Sequence, residues 1–215
     1  MVEKRAGRGS GTSKAERTRA RILDAAEVQF AGGGFAGTRV EAVAKAAGIR
    51  RATLFYHFSD KTDLYDQVLG RLVAPLVDRI RKILASGSSD DLIERAVGEN
   101  LDYLVEHPSL ARIILREVAD AEPGQPPPVL RRARDLVREI EALVPPPGAH
   151  RIDAMRLILM VAGASTFFVS ASAWQEGRGD SDPAEQLARD KAEVARLVRR
   201  QLGLDTPEPD EEPSP

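Results

Sequence analysis

Residues 38–61 read TRVEAVAKAAGIRRATLFYHFSDK. Thr38 and Glu41 have the T-x-x-E spacing of a capping box, which predicts a helix starting at Arg39. Val40, Val43, Ala44 and Ala47 fall three and four apart and form one apolar helical face. Gly48 follows directly and can take the left-handed conformation that ends a helix. Ile49 plugs the turn. A second helix of about two turns runs over 50–57. Its Leu54 and the following Phe58 lie four apart and face inward with Ile49. Arg50, Arg51, Thr53 and His57 are left pointing outward. Ser59 or Asp60 caps a third helix, which Lys61 begins. Small residues at Ala44, Ala46, Ala47 and Gly48 let the first two helices cross closely.

A short helix, basic at its start and held by a small apolar core, has the dimensions to enter the major groove of DNA. The same residues also fit a plain helical hairpin with a solvated basic face. The ordered series through Leu64 separates the two. Val43-Ala44-x-Ala46-Ala47-Gly48-Ile49, then Ala52-Thr53-Leu54-Phe55-Tyr56-His57-Phe58, then Lys61-Thr62-Asp63-Leu64, resembles the DNA-binding domain of the TetR family of bacterial transcriptional regulators.

Roles follow from that resemblance. Arg50 and Arg51 sit at the N-terminal end of the recognition helix, the end that usually enters the groove. Either can pair with guanine through two hydrogen bonds, and Ala52 and Thr53 can touch a thymine methyl. Thr38, Arg39, Tyr56, His57 and Lys61 are expected to hold the phosphate backbone, which positions the protein without reading sequence. The Lys61 site adds a helix N-terminus, whose free N–H groups favour anions. One departure stands out: the family commonly has tyrosine where this chain has Phe55. The missing hydroxyl puts that phosphate contact in question and leaves Phe55 a candidate core residue.

Composition agrees. At 215 residues there is room for one small domain and one larger one. The net charge of -2 is unevenly spread. Lys4, Arg5, Arg8, Lys14, Arg17, Arg19 and Arg21 face only Glu16, while Asp205, Glu208, Asp210, Glu211 and Glu212 have no basic neighbour. A basic arm near nucleic acid and an acidic tail are expected, both disordered in the free protein. With no cysteine there is no disulfide framework. The N-terminus has no apolar run after its basic residues, so it is not read as a signal peptide, and a cytoplasmic protein is expected, on the nucleoid when bound to DNA.

The rest of the chain reads as helices with clear punctuation. Ser13 and Glu16 make a capping box for a helix ending near Ala31, before Gly32-Gly33-Gly34. A long helix over 61–85 contains Pro75, which should kink or split it. Gly87-Ser88-Ser89 ends that unit. Helices are expected over about 90–106, 108–120, 129–144, 149–175 and 183–202, with stops at the proline-rich 122–128, at Pro145-Pro146-Pro147-Gly148 and at Gly203. Asp182 caps the last helix, with Pro183 at its first position. The expected fold is all-α with about nine helices and no strand. Its expected parts are a basic arm over 1–13, a helix-turn-helix domain over 14–60, a regulatory domain over 61–203 and an acidic tail over 204–215.

Residues 157–174 carry no charge and would span roughly 27 Å as a helix, marginal for a bilayer. Four hydroxyl residues and a glycine lower their apolarity, so burial within protein is preferred over a membrane span. The resemblance implies a homodimer joined by a four-helix bundle from the last two long helices, here with Gly163, Ser170, Trp174, Leu187, Val194, Leu197 and Val198. Two reading heads about one DNA turn apart would demand a near-palindromic operator.

The resemblance also implies a pocket for a small-molecule effector whose binding releases DNA. On the helix over 90–106, Asn100 interrupts an apolar stripe that includes Leu104; on the next helix, Glu117 shares a face with Leu110, Ile113 and Ile114. A buried polar group must find a partner, be it a ligand, a protein group or water. Asn100, Leu104, Glu117, Phe167 and Phe168 are the candidate pocket residues, and a mostly apolar ligand is expected. No metal site or cofactor is expected. His57, His107 and His150 lack ligand spacing, and neither a G-x-S-x-G motif nor a phosphate loop is present, which argues against an enzyme. The competing class is a helical protein-interaction adaptor with a nonspecific basic surface.

Overall fold

The computed structural model describes residues 13–86, 91–122, 124–125, 127–143, 154–175, 182–202 and 204. The basic arm through residue 12, the Gly87-Ser88-Ser89 and Pro145-Pro146-Pro147-Gly148 punctuation, the expected helix start at 149, Gly203 and the acidic tail from 205 lie outside the described residues. Ten helices and no strand occur among the described residues: α1 Lys14–Gly37, α2 Val40–Ala46, α3 Arg51–His57, α4 Lys61–Ala85, α5 Leu92–Glu106, α6 Pro108–Ala119, α7 Pro128–Arg132, α8 Arg134–Leu143, α9 Ala154–Gln175 and α10 Pro183–Leu202. They divide into two units, Met1–Val68 and Leu69–Pro215. The division falls inside α4, eight residues beyond the expected 60/61 boundary. Leu64, Tyr65 and Val68 of α4 are buried, and Tyr65 packs edge-on against Phe30 of α1 at 4.7 Å. The first two turns of α4 therefore belong to the N-terminal core.

In that N-terminal unit, α1 starts on the expected box: the Glu16 N–H donates to the Ser13 hydroxyl at 3.1 Å, and the Glu16 carboxylate accepts the Ser13 N–H. The helix outlasts its expected stop at Ala31. Gly32 and Gly33 remain helical, and only Gly34, at φ 68°, breaks the pattern. The expected box at Thr38 does not form. Thr38 is buried, and its hydroxyl lies 2.7 Å from the Gly34 carbonyl and 3.0 Å from that of Gln29, capping the end of α1 instead of the start of α2. Arg39 is the N-cap, without a side-chain bond, so α2 begins at Val40. At the other end of α2 the Ile49 N–H reaches the Ala44 carbonyl and the Gly48 N–H reaches that of Lys45. This is a Schellman closure with Gly48 at φ 64°, where any side chain would be strained. The Arg21 guanidinium adds a bond to the Ala47 carbonyl. Asp60 caps α4 by accepting the Asp63 N–H at 2.8 Å.

In the C-terminal unit, α5 packs against α9 and α10, and α6 against α9. Val97 and Leu101 of α5, Leu157 of α9, and Val194, Ala195 and Val198 of α10 form one buried cluster. Pro75 neither splits nor ends α4. It cannot donate a helical hydrogen bond, and the Tyr103 hydroxyl of α5 donates to the nearby Leu72 carbonyl at 2.7 Å. Arg79, one turn later, stacks over the Tyr103 ring and pairs with Glu99 and Glu106. These bonds clamp α5 to α4. The single helix expected over 129–144 is two, α7 and α8, because Ala133 (ψ 2°) leaves the helical range while its N–H still reaches the Val129 carbonyl. Asp182 caps α10 as expected, accepting the Ala184 N–H at 3.0 Å.

Candidate functional site

The exposed basic head is built by α2, the Gly48 turn and α3. Leu54, Phe58 and Val43 are fully buried beneath it. Burying three such side chains stabilises by several kcal/mol, at about 1.5–3 kcal/mol each. That fixes which residues of α3 face solvent. Arg50 is the exposed N-cap of α3, and Arg51 its first helical residue. Arg51 is not idle in the free protein: its Nε lies 3.1 Å from Glu41 of α2, and its guanidinium sits 5.2 Å from the Phe55 ring centre. Both partners of that ion pair are well exposed, so solvent screens it. Ala52 is exposed and Thr53 half-buried.

Among the expected phosphate-binding residues, Tyr56 is 83 % exposed, with its ring edge-on to that of His57. Arg39 is exposed, and His57 and Lys61 are half-buried. Lys61 begins α4, donates to the Ala36 carbonyl at 3.3 Å and lies 4.6 Å from the Phe35 ring centre. The Thr38 side chain must be removed from this set, because it is turned into the core by its bonds to α1. Phe55, a candidate core residue by sequence, is 37 % exposed and carries Arg51 on its ring.

Just below the α4 cap, the Asp63 carboxylate accepts from the Gln67 amide at 2.8 Å and from the Ser59 N–H at 2.9 Å. The Gln67 bond, then the Ser59 bond, hold its pKa below the ordinary aspartate value.

A second candidate site lies within the C-terminal unit. A cavity of about 430 Å³ is walled by α4, α5, α8, α9 and α10. Ile80, Leu84, Ile93, Val97, Ile140 and Leu157 are typical of its lining, and among the described lining residues Asn100 alone is polar. The Asn100 Nδ2 is buried without a hydrogen-bond partner. Of the expected pocket residues, Asn100 alone lines this cavity. Leu104 is buried elsewhere in the core. Glu117 is buried, and its carboxylate accepts the Val129 N–H at 2.7 Å, so a protein group is its partner and it secures the start of α7. Phe168 packs on the α5–α9–α10 cluster, and Phe167 is 60 % exposed. Sequence reasoning missed the contributions of α4 and α8. Ile80 and Leu84 are four apart on α4, as are Leu136 and Ile140 on α8, a spacing that marks an inward face.

The expected intersubunit residues separate in the same way. Val194 and Val198 are buried in the protomer's own core, and Leu187 packs against it, so these three are spent within the chain. The Ser170 hydroxyl is likewise buried. Gly163 is exposed with open space around its Cα, and Leu197 is exposed. The Trp174 side chain lies outside the described residues. The α9 surface carries further exposed apolar residues that the sequence reading did not select: Met155 and Leu159, in four-residue register with Gly163 and Phe167. No helix among the described residues is long and apolar enough to cross a membrane, and none of them form a metal-holding cluster.

Comparison with known proteins places this geometry. The sequence profile of the bacterial regulatory proteins of the tetR family matches residues 22–68, which contain α2, α3 and their packing partners. The chain is 29 % identical over 128 residues to the HTH-type transcriptional repressor SCO4008 of Streptomyces coelicolor, covering 60 % of this chain and 64 % of that protein. It is 37 % identical over 76 residues to the transcriptional repressor KstR2 of Rhodococcus jostii, covering 35 % and 37 %. The match thus spans less than two thirds of either relative. Among solved structures, a TetR-like transcriptional regulator from Rhodococcus sp. RHA1 superposes with a TM-score of 0.65 at 20 % identity, covering 91 % of this chain and all of that one, which shows a shared fold. The N-terminal helix-turn-helix unit, residues 22–68, thus carries the sequence pattern of the tetR family of bacterial regulatory proteins, and the chain as a whole shares its all-helical fold with a TetR-like regulator.

Proposed function

We propose that this protein is a homodimeric, sequence-specific DNA-binding transcriptional regulator, a repressor released from a near-palindromic operator by a small, mostly apolar ligand. The observation that carries the reading is the pairing of an exposed arginine-led α3 with an apolar cavity walled in part by α4, the helix that also belongs to the reading unit's core. Arg50, Arg51, Ala52 and Thr53 read bases; Arg39, Tyr56, His57 and Lys61 hold phosphates, along with any contact from the Thr38 backbone. Two curated relatives being repressors favours repression. The exposed stripe of Met155, Leu159, Gly163 and Phe167 on α9, with Leu197 of α10, suits a second copy of the chain, since apolar side chains in helical register gain by mutual burial. Cytoplasmic location follows from this reading.

Ligand and DNA are coupled through α4. A ligand in the cavity touches Ile80 and Leu84 of α4 and Asn100 of α5, while Tyr103 and Arg79 clamp the two helices together. A shift of α5 is thereby passed to α4. Selection from a random-duplex DNA pool tests the reading. Enrichment of a near-palindrome bound by a dimer supports it. Salt-sensitive binding with no enriched sequence refutes it and leaves a nonspecific basic surface.

A further inference from the structure

The cavity is chemically one-sided, and the single polar residue among its described lining residues sets what it can hold. A buried amide donor without a partner forfeits the hydrogen bonds it made to water in the unfolded chain. Asn100 Nδ2 is such a donor, itself shielded from the cavity, on the one polar residue among described lining residues that otherwise offer hydrocarbon. Rotation about the Cβ–Cγ bond of Asn100 exchanges Nδ2 and Oδ1 at the cavity wall, so an N–H can be turned toward an occupant. Arg81 of α4 is held by Glu139 at 2.9 Å, and Arg199 of α10 by Glu94 at 3.3 Å. A carboxylate or phosphate entering the cavity would lose its water and meet no free positive charge among the described lining residues. Size gives a second limit. An apolar cavity of about 150 Å³ accepts benzene, so about 430 Å³ accepts a molecule up to roughly three times larger.

Resting on the proposed effector role of the cavity, we infer that the site selects uncharged, largely hydrocarbon molecules of medium size that carry one hydrogen-bond acceptor, such as a ketone, ester or amide oxygen, received by Asn100. The acceptor satisfies the orphaned donor, and the hydrocarbon body supplies the affinity by displacing water from apolar walls. Acidic ligands of the same length are excluded by desolvation.

The test is displacement of the apolar dye N-phenyl-1-naphthylamine from the full-length protein by 2-decanone, decanoate and decane at neutral pH, without DNA. The ketone is expected to bind at least about tenfold more tightly than decanoate. Asn100→Leu, close in volume, is expected to weaken the ketone about tenfold and leave decane unchanged. Its melting temperature should hold or rise, because an unpaired donor is removed. Decanoate binding as tightly as the ketone, or ketone affinity indifferent to Asn100→Leu, overturns the inference while leaving a ligand-responsive regulator standing. Failure of every probe and the dye to bind overturns the effector role of the cavity as well. A large drop in melting temperature of Asn100→Leu would show that the carboxamide serves the fold and would also overturn it.

Discussion

The head of α3 and the wall of the α5 cavity treat polar groups in opposite ways. Arg50, Arg51 and Tyr56 stand in solvent, where water satisfies them before any partner arrives. Asn100 stands where water does not reach its Nδ2. At the surface, recognition must displace water and also break the Arg51–Glu41 pair, so net gain per contact is modest and specificity comes from geometry. In the cavity the unliganded state already carries an unsatisfied group, so one hydrogen bond recovers more. Changes at the surface should therefore move DNA affinity and leave stability alone, whereas changes in the cavity should move ligand affinity and, where they alter packing, stability as well.

The largest effect that would break this contrast is at Leu101, fully buried beside Asn100 on α5. Leu101→Ala should cost about 2–5 kcal/mol of unfolding free energy in a denaturant titration, with little change in the operator affinity of the protein that remains folded. Next comes Arg51→Ala, which should relax base preference at one operator position by about 1–3 kcal/mol with an unchanged melting temperature, read by competition among single-base operator variants. Lys61→Ala should weaken all sequences alike and lower the slope of log affinity against log salt by about one. If both changes affected every sequence alike, the division between base-reading and phosphate-holding residues would be wrong.

Smaller effects sharpen the picture of the free head. Glu41→Ala releases Arg51, so operator affinity should rise, by less than about fivefold for an exposed pair. A fall would mean that Glu41 orients Arg51 for the groove. Asp63 gives a pH signature. Its pKa is lower in the folded state than in the unfolded chain. Its contribution is therefore fully present above the unfolded value of about 3.9 and lost as pH falls through the folded value. Stability should fall as pH drops below about 4, and Asp63→Asn should flatten that part of the profile.

The two regions also differed in how far the sequence disclosed them. The reading head depends on short-range chemistry: a glycine where φ must be positive, an aspartate before α4, leucine and phenylalanine four apart. Each is local, so each could be read at once. Thr38 shows the limit. Its spacing to Glu41 promised a box, but the free carbonyls at the end of α1 competed for the same hydroxyl, and that competition is tertiary. The cavity is tertiary throughout. Five helices wall it, and nothing local in Ile80 or Ile140 says that they face each other's neighbourhood. Only Asn100 was visible, as a polar interruption in an apolar stripe. Glu117 had the same appearance and proved to hold a backbone N–H, so the pattern marked both a site and a structural bond. Phe167 misled for a related reason: an aromatic on an apolar helix was read as interior, but α9 leaves one of its faces open.

The most direct measurement is fluorescence anisotropy of a labelled, selected operator duplex bound to the protein, titrated with 2-decanone while dye displacement reports cavity occupancy in the same sample. Operator release that tracks cavity occupancy, and that needs about tenfold more ketone for Asn100→Leu, is the predicted result. Full occupancy of the cavity with operator affinity unchanged would contradict the coupling of the two sites.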